Sequence, residues 1–584
     1  MLKPNLTREE IAKNEIGRTE ISPKLAYLMV CFFLVVIFLY PLLQMGYEIT
    51  IKELKTPQAL DLFLNWDGVR ELPADTPLGE LTSFSRELNH HLKSYETQLE
   101  NNSLLREELL SPIQSILSKQ LKTGNEKVVV GEDGWLYYLS DMDYPMASGF
   151  MNQEFQRLRY QVADVQPDPL LAILEFKKRL AARGIQLILM PVPVKPVIYP
   201  EKLSGRLSQF SHPLQNESYA RWKKSLESQG VIVFDPAPVL MDAKKKGIQT
   251  FLKTDTHWTP EGMDLAAKEL SRVIQDRIPV KTQLSSSPRQ ILSFQTNLGD
   301  IAMMLNLKPD DQYFQPETVQ LRQVKVNGRL LKPSSQSEIL FLGDSFSNIY
   351  SLKPMGWGEG AGLVENLSYY LKAPVDAIVR NDAGSYATRE ILAQELAKGH
   401  DRLEGKKVVV WEFASRELVS GNWKLIDIPV SKARNPVIDI KITSADSAET
   451  ANRVRVKETA TPAKTGGFFV PEEGNSYKVT ARVKSVSAVP QPGAVPYKDH
   501  VMAIQLIDIK GPGIKIINAQ AMVYLMSMRD QKLTSASSLR TGQLIHINLN
   551  NWSSVEDEYG GFNRSELDDP DISLQDPCWG ELIK

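Results

Sequence analysis

Between residues 170 and 411, five short apolar runs (185–194, 231–234, 338–342, 376–379 and 407–411) alternate with stretches whose apolar side chains recur at helical spacing (170–183, 217–228, 260–278, 360–371 and 388–398). A run that is apolar at successive positions suits a strand covered on both faces, and an intervening helix is the connection that lets two strands lie parallel. The alternation therefore predicts an α/β domain of three layers, with helices on either side of a mainly parallel sheet. Such sheets bind ligands beyond the carboxyl ends of their strands, so reactive side chains are to be sought just after each run.

The chain has a different texture on either side of this region. Residues 25–43 are an uncharged, almost wholly apolar run, long enough as a helix to cross a hydrocarbon core of about 30 Å. Lys3, Arg8, Lys13, Arg18 and Lys24 precede it, against Lys52 and Lys55 soon after. That asymmetry predicts a cytoplasmic tail over 1–24, a single transmembrane anchor over 25–46 in the inner membrane, and a body in the periplasm or otherwise outside the cytoplasm. The polar lead-in and the Gln-Met-Gly-Tyr-Glu that follows Leu43 argue against a cleaved signal peptide. Residues 47–127 read as a connector in which Leu81, Phe84, Leu88, Leu92, Tyr95 and Leu99 share one helix face. His90 and His91, adjacent within it, point apart and make no joint metal site.

The α/β domain is expected over 128–426, opening with a hairpin at Val128. Beyond it the helical patterns stop. Segments 438–442, 453–457, 477–486, 500–509, 522–528 and 544–549 are β-rich between Gly, Pro and Ser clusters, predicting an all-β domain over 427–584, a sandwich or a barrel. The acidic last 30 residues read as a solvated tail. With 68 basic and 70 acidic residues the net charge is -2, and nothing global calls for nucleic acid. The two cysteines, Cys31 in the span and Cys578 near the end, exclude a disulfide framework and cysteine-ligated zinc. Neither a metal nor a cofactor is expected.

Two blocks inside the α/β region carry chemistry. Gly343-Asp344-Ser345 breaks the apolar run 339–342, which puts a serine at the mouth of the sheet, where turn N–H groups can face an oxyanion. Asp255 and His257 lie two apart, just before Thr259-Pro260-Glu261, a helix start with Thr as cap and Pro in the first turn. A carboxylate beside an imidazole fixes its tautomer and stabilises the imidazolium formed when the ring takes a serine proton.

Thr254-Asp255-Thr256-His257-Trp258 together with Gly343-Asp344-Ser345-Phe346-Ser347 resembles the alginate O-acetyltransferase (AlgX/AlgJ-like) family, whose catalytic domain is similar to the SGNH hydrolases with the block order permuted. The hairpin 130–137, Pro191-Val-Pro-Val-Lys195, the segment 299–305 and Trp411-Glu-Phe-Ala-Ser-Arg416 look like further family segments. The resemblance implies Ser345 as nucleophile, His257 as general base and acid, and Asp255 as its orienter. It implies Arg380 for substrate positioning. Asn381, or the backbone N–H of Ser345 or Phe346, would serve the oxyanion; Trp258 and Trp411 would wall the sugar site, and Lys195 marks a family loop near it. It further implies acetyl transfer to hydroxyls of an exported polysaccharide, with the acetyl donor delivered by a multi-pass membrane O-acyltransferase. An acetylesterase of the same fold, and a non-catalytic polysaccharide-binding scaffold, are the alternative readings.

Overall fold

In a computed structural model the five predicted strands form one parallel sheet in the order β4-β3-β10-β8-β9, with β3 at Gln186–Val192, β4 at Ile232–Val233, β8 at Ile339–Gly343, β9 at Asp376–Val379 and β10 at Val408–Ala414. Every residue of β8 and β10 is buried, as strands covered on both faces must be. Helices Pro169–Ala181, Tyr219–Ser228, Pro260–Arg277, Leu363–Leu371 and Ala387–Ala397 occupy the connections. The structure describes residues 22–52, 56–60, scattered positions from 92 to 100, 102–429 apart from 164, 281–282 and 309–310, and 465–583 apart from 493, 494, 496, 515, 568, 570, 571, 573 and 574. Most of the helix expected from Leu81, with His90 and His91, and the strand candidates 438–442 and 453–457 lie outside these residues.

Contacts divide the chain into two units, Met1–Ser111 and Pro112–Lys584. The first contains the helix Pro23–Thr50, capped by Ser22, whose 28 residues include an 18-residue window of mean hydropathy 2.6, long and apolar enough to cross a membrane. The second holds both the α/β sheet and a β-rich region, so these can be described together.

Three strands beside the main sheet escaped the periodicity argument. β5 (Arg289–Asn297), β6 (Glu317–Val326) and β7 (Arg329–Leu330) form an antiparallel sheet between helix Pro260–Arg277 and β8. Six of the nine residues of β5 are polar or charged and fall in no strict alternation, and the strand is half exposed, so it shows neither the period-2 pattern nor the continuous apolar run of a central strand.

The C-terminal region closes into a barrel. β12 (Ser476–Val486), β13 (His500–Lys510), β14 (Ile517–Arg529), β18 (Cys578–Leu582) and β16 (Leu544–Asn551) pair in a ring, β12 with β13, β13 with β14, β14 with β18, β18 with β16 and β16 with β12. Closure leaves no long unpaired edge and settles sandwich against barrel. Register shifts in the β12–β13 and β13–β14 pairs supply the bends that closure needs. A short β17 (Asn563–Ser565) adds to β13 on the outside. The solvated tail expected for the last residues is therefore corrected: β17 and β18 lie within it, and Asn563, Cys578 and Trp579 are buried. The acidic composition hid apolar positions that are few but sit at strand spacing.

Candidate active site

The segment carrying Asp255 and His257 is a pinched loop. Phe251 and Trp258 bridge antiparallel, Leu252 N–H donates to the His257 carbonyl at 3.1 Å, and the Thr259 hydroxyl accepts from Gly262 N–H to start helix Pro260–Arg277. The Glu317 carboxylate, from β6, accepts from Lys253 N–H, Thr254 N–H and the Thr254 hydroxyl, each at 3.0 Å. Gly299 lies so close beneath that a Cβ there would sit 2.3 Å from the Thr254 carbonyl. The loop is thus fixed from both sides before any chemistry begins.

Ser345 follows β8 after the single residue Asp344, as the first residue of the one-turn helix Ser345–Asn348. Asp344 caps that turn: its Oδ1 accepts from Phe346 N–H at 2.9 Å and its Oδ2 from Ala414 N–H at 2.7 Å, while its own N–H donates to Glu412 at 2.9 Å. These bonds tie the Ser345 turn to the end of β10. The cap also consumes the Phe346 N–H, so of the two backbone amides expected to face an oxyanion only that of Ser345 lacks a protein acceptor among the described residues.

The two blocks, 88 residues apart, meet here. His257 Nδ1 donates to Asp255 Oδ1 at 2.7 Å, and Nε2 lies 2.8 Å from Ser345 Oγ. Asp255 is the most heavily satisfied group nearby, accepting also from His257 N–H at 3.1 Å, Trp357 Nε1 at 2.8 Å and Asp300 N–H at 3.1 Å. Burial alone would raise its pKa, but the His257 hydrogen bond and charge, with that of Trp357, bring it down to about 2. An ionised Asp255 requires the proton on Nδ1, which leaves the Nε2 lone pair for the serine hydroxyl. Burial would likewise lower the His257 pKa, yet the bond and charge of Asp255 outweigh it and hold the ring above its ordinary value.

Asp300 stands beside this pair, its oxygens accepting from the Thr256 N–H at 2.7 Å and hydroxyl at 2.8 Å. Burial, reinforced by the negative Asp255, raises its pKa to about 7. Asp255, His257 and Asp300 bring their donor atoms within 4.8 Å of one another and are the residues that could hold a cation. The N–H and O–H groups already directed at both carboxylates oppose that use.

Ser345, His257, Asn381 and Arg416 line a cleft of about 710 Å³, counted to its open mouth, and Tyr497, Lys498, Asp499, Phe562 and Asn563 of the barrel region form its other wall. Arg416 pairs with buried Asp141 at 2.8 Å. Asn381 accepts from Asn348 Nδ2 at 2.9 Å and directs its own Nδ2 toward the thioether of Met355 at 3.2 Å, a weak acceptor that leaves most of its donor capacity for a ligand.

Four expected ligand contacts are not on this cleft. Lys195 is fully buried behind the loop, its Nζ donating to the carbonyls of Leu136 at 2.8 Å and Lys253 at 3.1 Å; burial lowers its pKa to about 8 against the pull of Asp255 and Asp300. Trp258 donates to the Phe346 carbonyl at 3.0 Å and is fully buried. Trp411 packs between Phe176, Phe413 and Trp423 with the Arg389 guanidinium 4.4 Å from its ring. Trp411 is core because its place in the middle of β10 turns it under helices Pro169–Ala181 and Ala387–Ala397, and Trp258 because, next to the Thr259 cap, it packs on Phe346. Arg380, after β9, turns away to the barrel, donating to the Arg564 carbonyl at 2.7 Å and facing Glu566 at 3.6 Å. The sequence carries no signal for Trp357 and Asp300 as site residues: Trp357 sits between two glycines in no chemical motif, and Asp300 stands out only as part of a family segment.

Residues 128–415 match the model of a family described as an SGNH hydrolase-like domain, acetyltransferase AlgX. The chain is 28% identical over 311 residues to a Pseudomonas fluorescens protein named "Probable alginate O-acetylase AlgJ", covering 52% of this chain and 71% of that one. A Pseudomonas aeruginosa protein of the same name is 27% identical over 310 residues, covering 50% and 71%. Among solved structures it is similar to the O-acetyltransferase domain of Pseudomonas putida AlgJ, with 23% identity, a TM-score of 0.38 and coverage of 50% of this chain and 93% of that one. Similarity to Pseudomonas aeruginosa AlgX has 15% identity, a TM-score of 0.36 and coverage of 73% and 90%. With the ordered blocks, the parallel sheet and the matched family model in agreement, residues 128–415 of this chain are an SGNH hydrolase-like domain of the alginate O-acetyltransferase AlgX/AlgJ-like family.

Proposed function

We propose that this chain is a membrane-anchored O-acetyltransferase that moves acetyl groups onto hydroxyls of an exported polysaccharide. The observation that carries the chemistry is the unbroken line of hydrogen bonds from Asp255 through His257 to Ser345 at the floor of an open cleft. In the first half-reaction His257 Nε2 takes the Ser345 proton as Oγ bonds to the acetyl carbonyl, and the imidazolium then passes that proton to the departing donor oxygen. In the second, His257 takes the proton of a sugar hydroxyl, whose oxygen bonds to the acetyl carbon as the bond to Ser345 Oγ breaks, and the proton returns to the serine. The Ser345 N–H and Asn381 Nδ2, the one without a protein acceptor among the described residues and the other held only by a weak one, serve the developing oxyanion, and Asp255 holds the imidazolium in place.

The apolar helix Pro23–Thr50 fits a single-pass anchor with the catalytic body outside the cytoplasm. There the acetyl donor must come through the membrane, which fits a multi-pass membrane O-acyltransferase as its supplier. The names of the relatives point to alginate as one acceptor. Solubilised full-length protein should release acetate from an aryl acetate and lose that activity in Ser345→Ala. Supplied with alginate oligosaccharides, it should yield sugar heavier by one acetyl group. Free acetate as the sole product would support the esterase instead, and no Ser345-dependent turnover at all would favour the scaffold.

A further inference from the structure

The barrel-side wall contains a group with no structural employment. Asn563, the first residue of β17, is 1% exposed and lines the cleft that holds Ser345 and His257. Among the described residues neither its Oδ1 nor its Nδ2 has a hydrogen-bond partner. A buried amide left unmade on both atoms is costly, and such groups in a folded protein call for an explanation. Its neighbours do not supply one, because each is engaged elsewhere. His500, opposite it in the ladder, faces Ser527 Oγ at 2.7 Å and Ser565 Oγ at 3.1 Å, and Arg564 pairs with Glu566 at 2.8 Å.

The wall is also brought unusually close to the nucleophile. A Cβ on Gly561 would lie 2.9 Å from Asn348 Nδ2, on the same turn as Ser345, so only glycine lets the segment approach without displacing that side chain. Arg380 fastens the following residues by its bond to the Arg564 carbonyl. Position and orientation are therefore set by contacts that leave the amide itself unused.

We infer that Asn563 is an acceptor-binding residue, accepting at Oδ1 and donating from Nδ2 to neighbouring hydroxyls of the sugar ring that receives the acetyl group. A carboxamide offers one acceptor and one donor side by side, the complement of a vicinal diol, in which each hydroxyl both donates and accepts. A site built to hydrogen-bond a hydroxyl also rejects acceptors that lack it, since its own atoms then stay unpaired. The barrel region would thus select the hydroxyl, while the α/β domain performs the transfer. This rests on the proposed acetyl transfer.

The test compares products rather than total rate. Full-length enzyme receives an aryl acetate and an alginate hexasaccharide, and acetylated sugar is counted against free acetate. Asn563→Ala should lower the transfer-to-hydrolysis ratio at least tenfold and raise the acceptor KM, with a thermal midpoint equal to or above wild type, because no protein contact is removed. Asn563→Gln, which keeps the amide, should recover part of the ratio. An unchanged ratio, or a fall in thermal midpoint that accounts for the loss, overturns the assignment. Wild-type enzyme that gives only free acetate overturns the transferase reading and this inference with it, whereas wild-type transfer with an unaltered Asn563→Ala ratio overturns only the role of Asn563.

Discussion

On the α/β side of the cleft both oxygens of Asp255, Asp300 and Asp344 accept hydrogen bonds from the protein, whereas on the barrel side the buried amide of Asn563 accepts and donates none among the described residues. Under the proposed function the difference separates two tasks. Groups that move a proton must be held in one geometry before the substrate arrives, and full satisfaction of their partners does that. A group that recognises a ligand must instead keep its bonding capacity for it. Rigidity therefore gathers around His257 and unfilled capacity around the opposite wall.

This contrast can be broken most severely on the satisfied side. His257→Ala should reduce acetate release from an aryl acetate by roughly ten-thousand-fold or more, as removal of the base does in other triads. A loss of less than tenfold would mean that the ring does not serve Ser345.

Asp255→Asn should cost about a hundred- to ten-thousand-fold and also move the pH profile. In the wild type the base must be neutral, and His257 is held above its ordinary 6.5, so the rate should rise with pH through a midpoint above that value. Without the Asp255 charge the burial that opposes it prevails, and the midpoint should drop. The same linkage has a stability sign: a raised His257 pKa contributes stability that is complete below the unfolded value and is lost as pH rises through the folded one. A midpoint unmoved by Asp255→Asn would uncouple the two residues.

A smaller break is Trp357→Phe, which removes one of the N–H donors to Asp255 Oδ2 while keeping the aromatic bulk. About tenfold in rate is expected from one lost charge-assisted bond, roughly 1.5 kcal/mol. Equal loss of folding stability with no kinetic effect would make the indole a packing residue only. Smallest is Gly561→Ala. Its Cβ would meet the movable end of Asn348, so the wall should retreat slightly, lowering the transfer-to-hydrolysis ratio by about threefold with little change in aryl acetate turnover. A ratio raised by this change would contradict the close approach.

The sequence made the satisfied side readable and the other side opaque. Asp255, His257 and Ser345 announce themselves because a strand end, a helix cap and two short blocks are local signals, and β3, β4, β8, β9 and β10 because continuous apolar runs mark buried parallel strands. Trp258 and Trp411 were misread because a motif fixes where a side chain is attached and not which way it faces. Lys195 failed for a related reason: its target is a pair of backbone carbonyls, which leave no trace in composition. Asn563 had no signal at all. It reaches the cleft through barrel closure, a long-range event of strands β12, β13, β14, β16 and β18, and it sits in an acidic segment whose charge suggested solvent.

Arg380 carries a practical consequence for anyone dividing the molecule. The family match ends at residue 415, which invites cutting the chain shortly beyond it. Yet Arg380 is 6% exposed and takes its carbonyl and carboxylate partners from Arg564 and Glu566, far past that point. A shortened protein would confront water with an arginine shaped for a neighbour and with the apolar flank around Leu352, against which Phe562 and its cluster pack. Homology boundaries and folding boundaries differ here by nearly three-tenths of the chain, and the unit to express, assay and crystallise is the longer one.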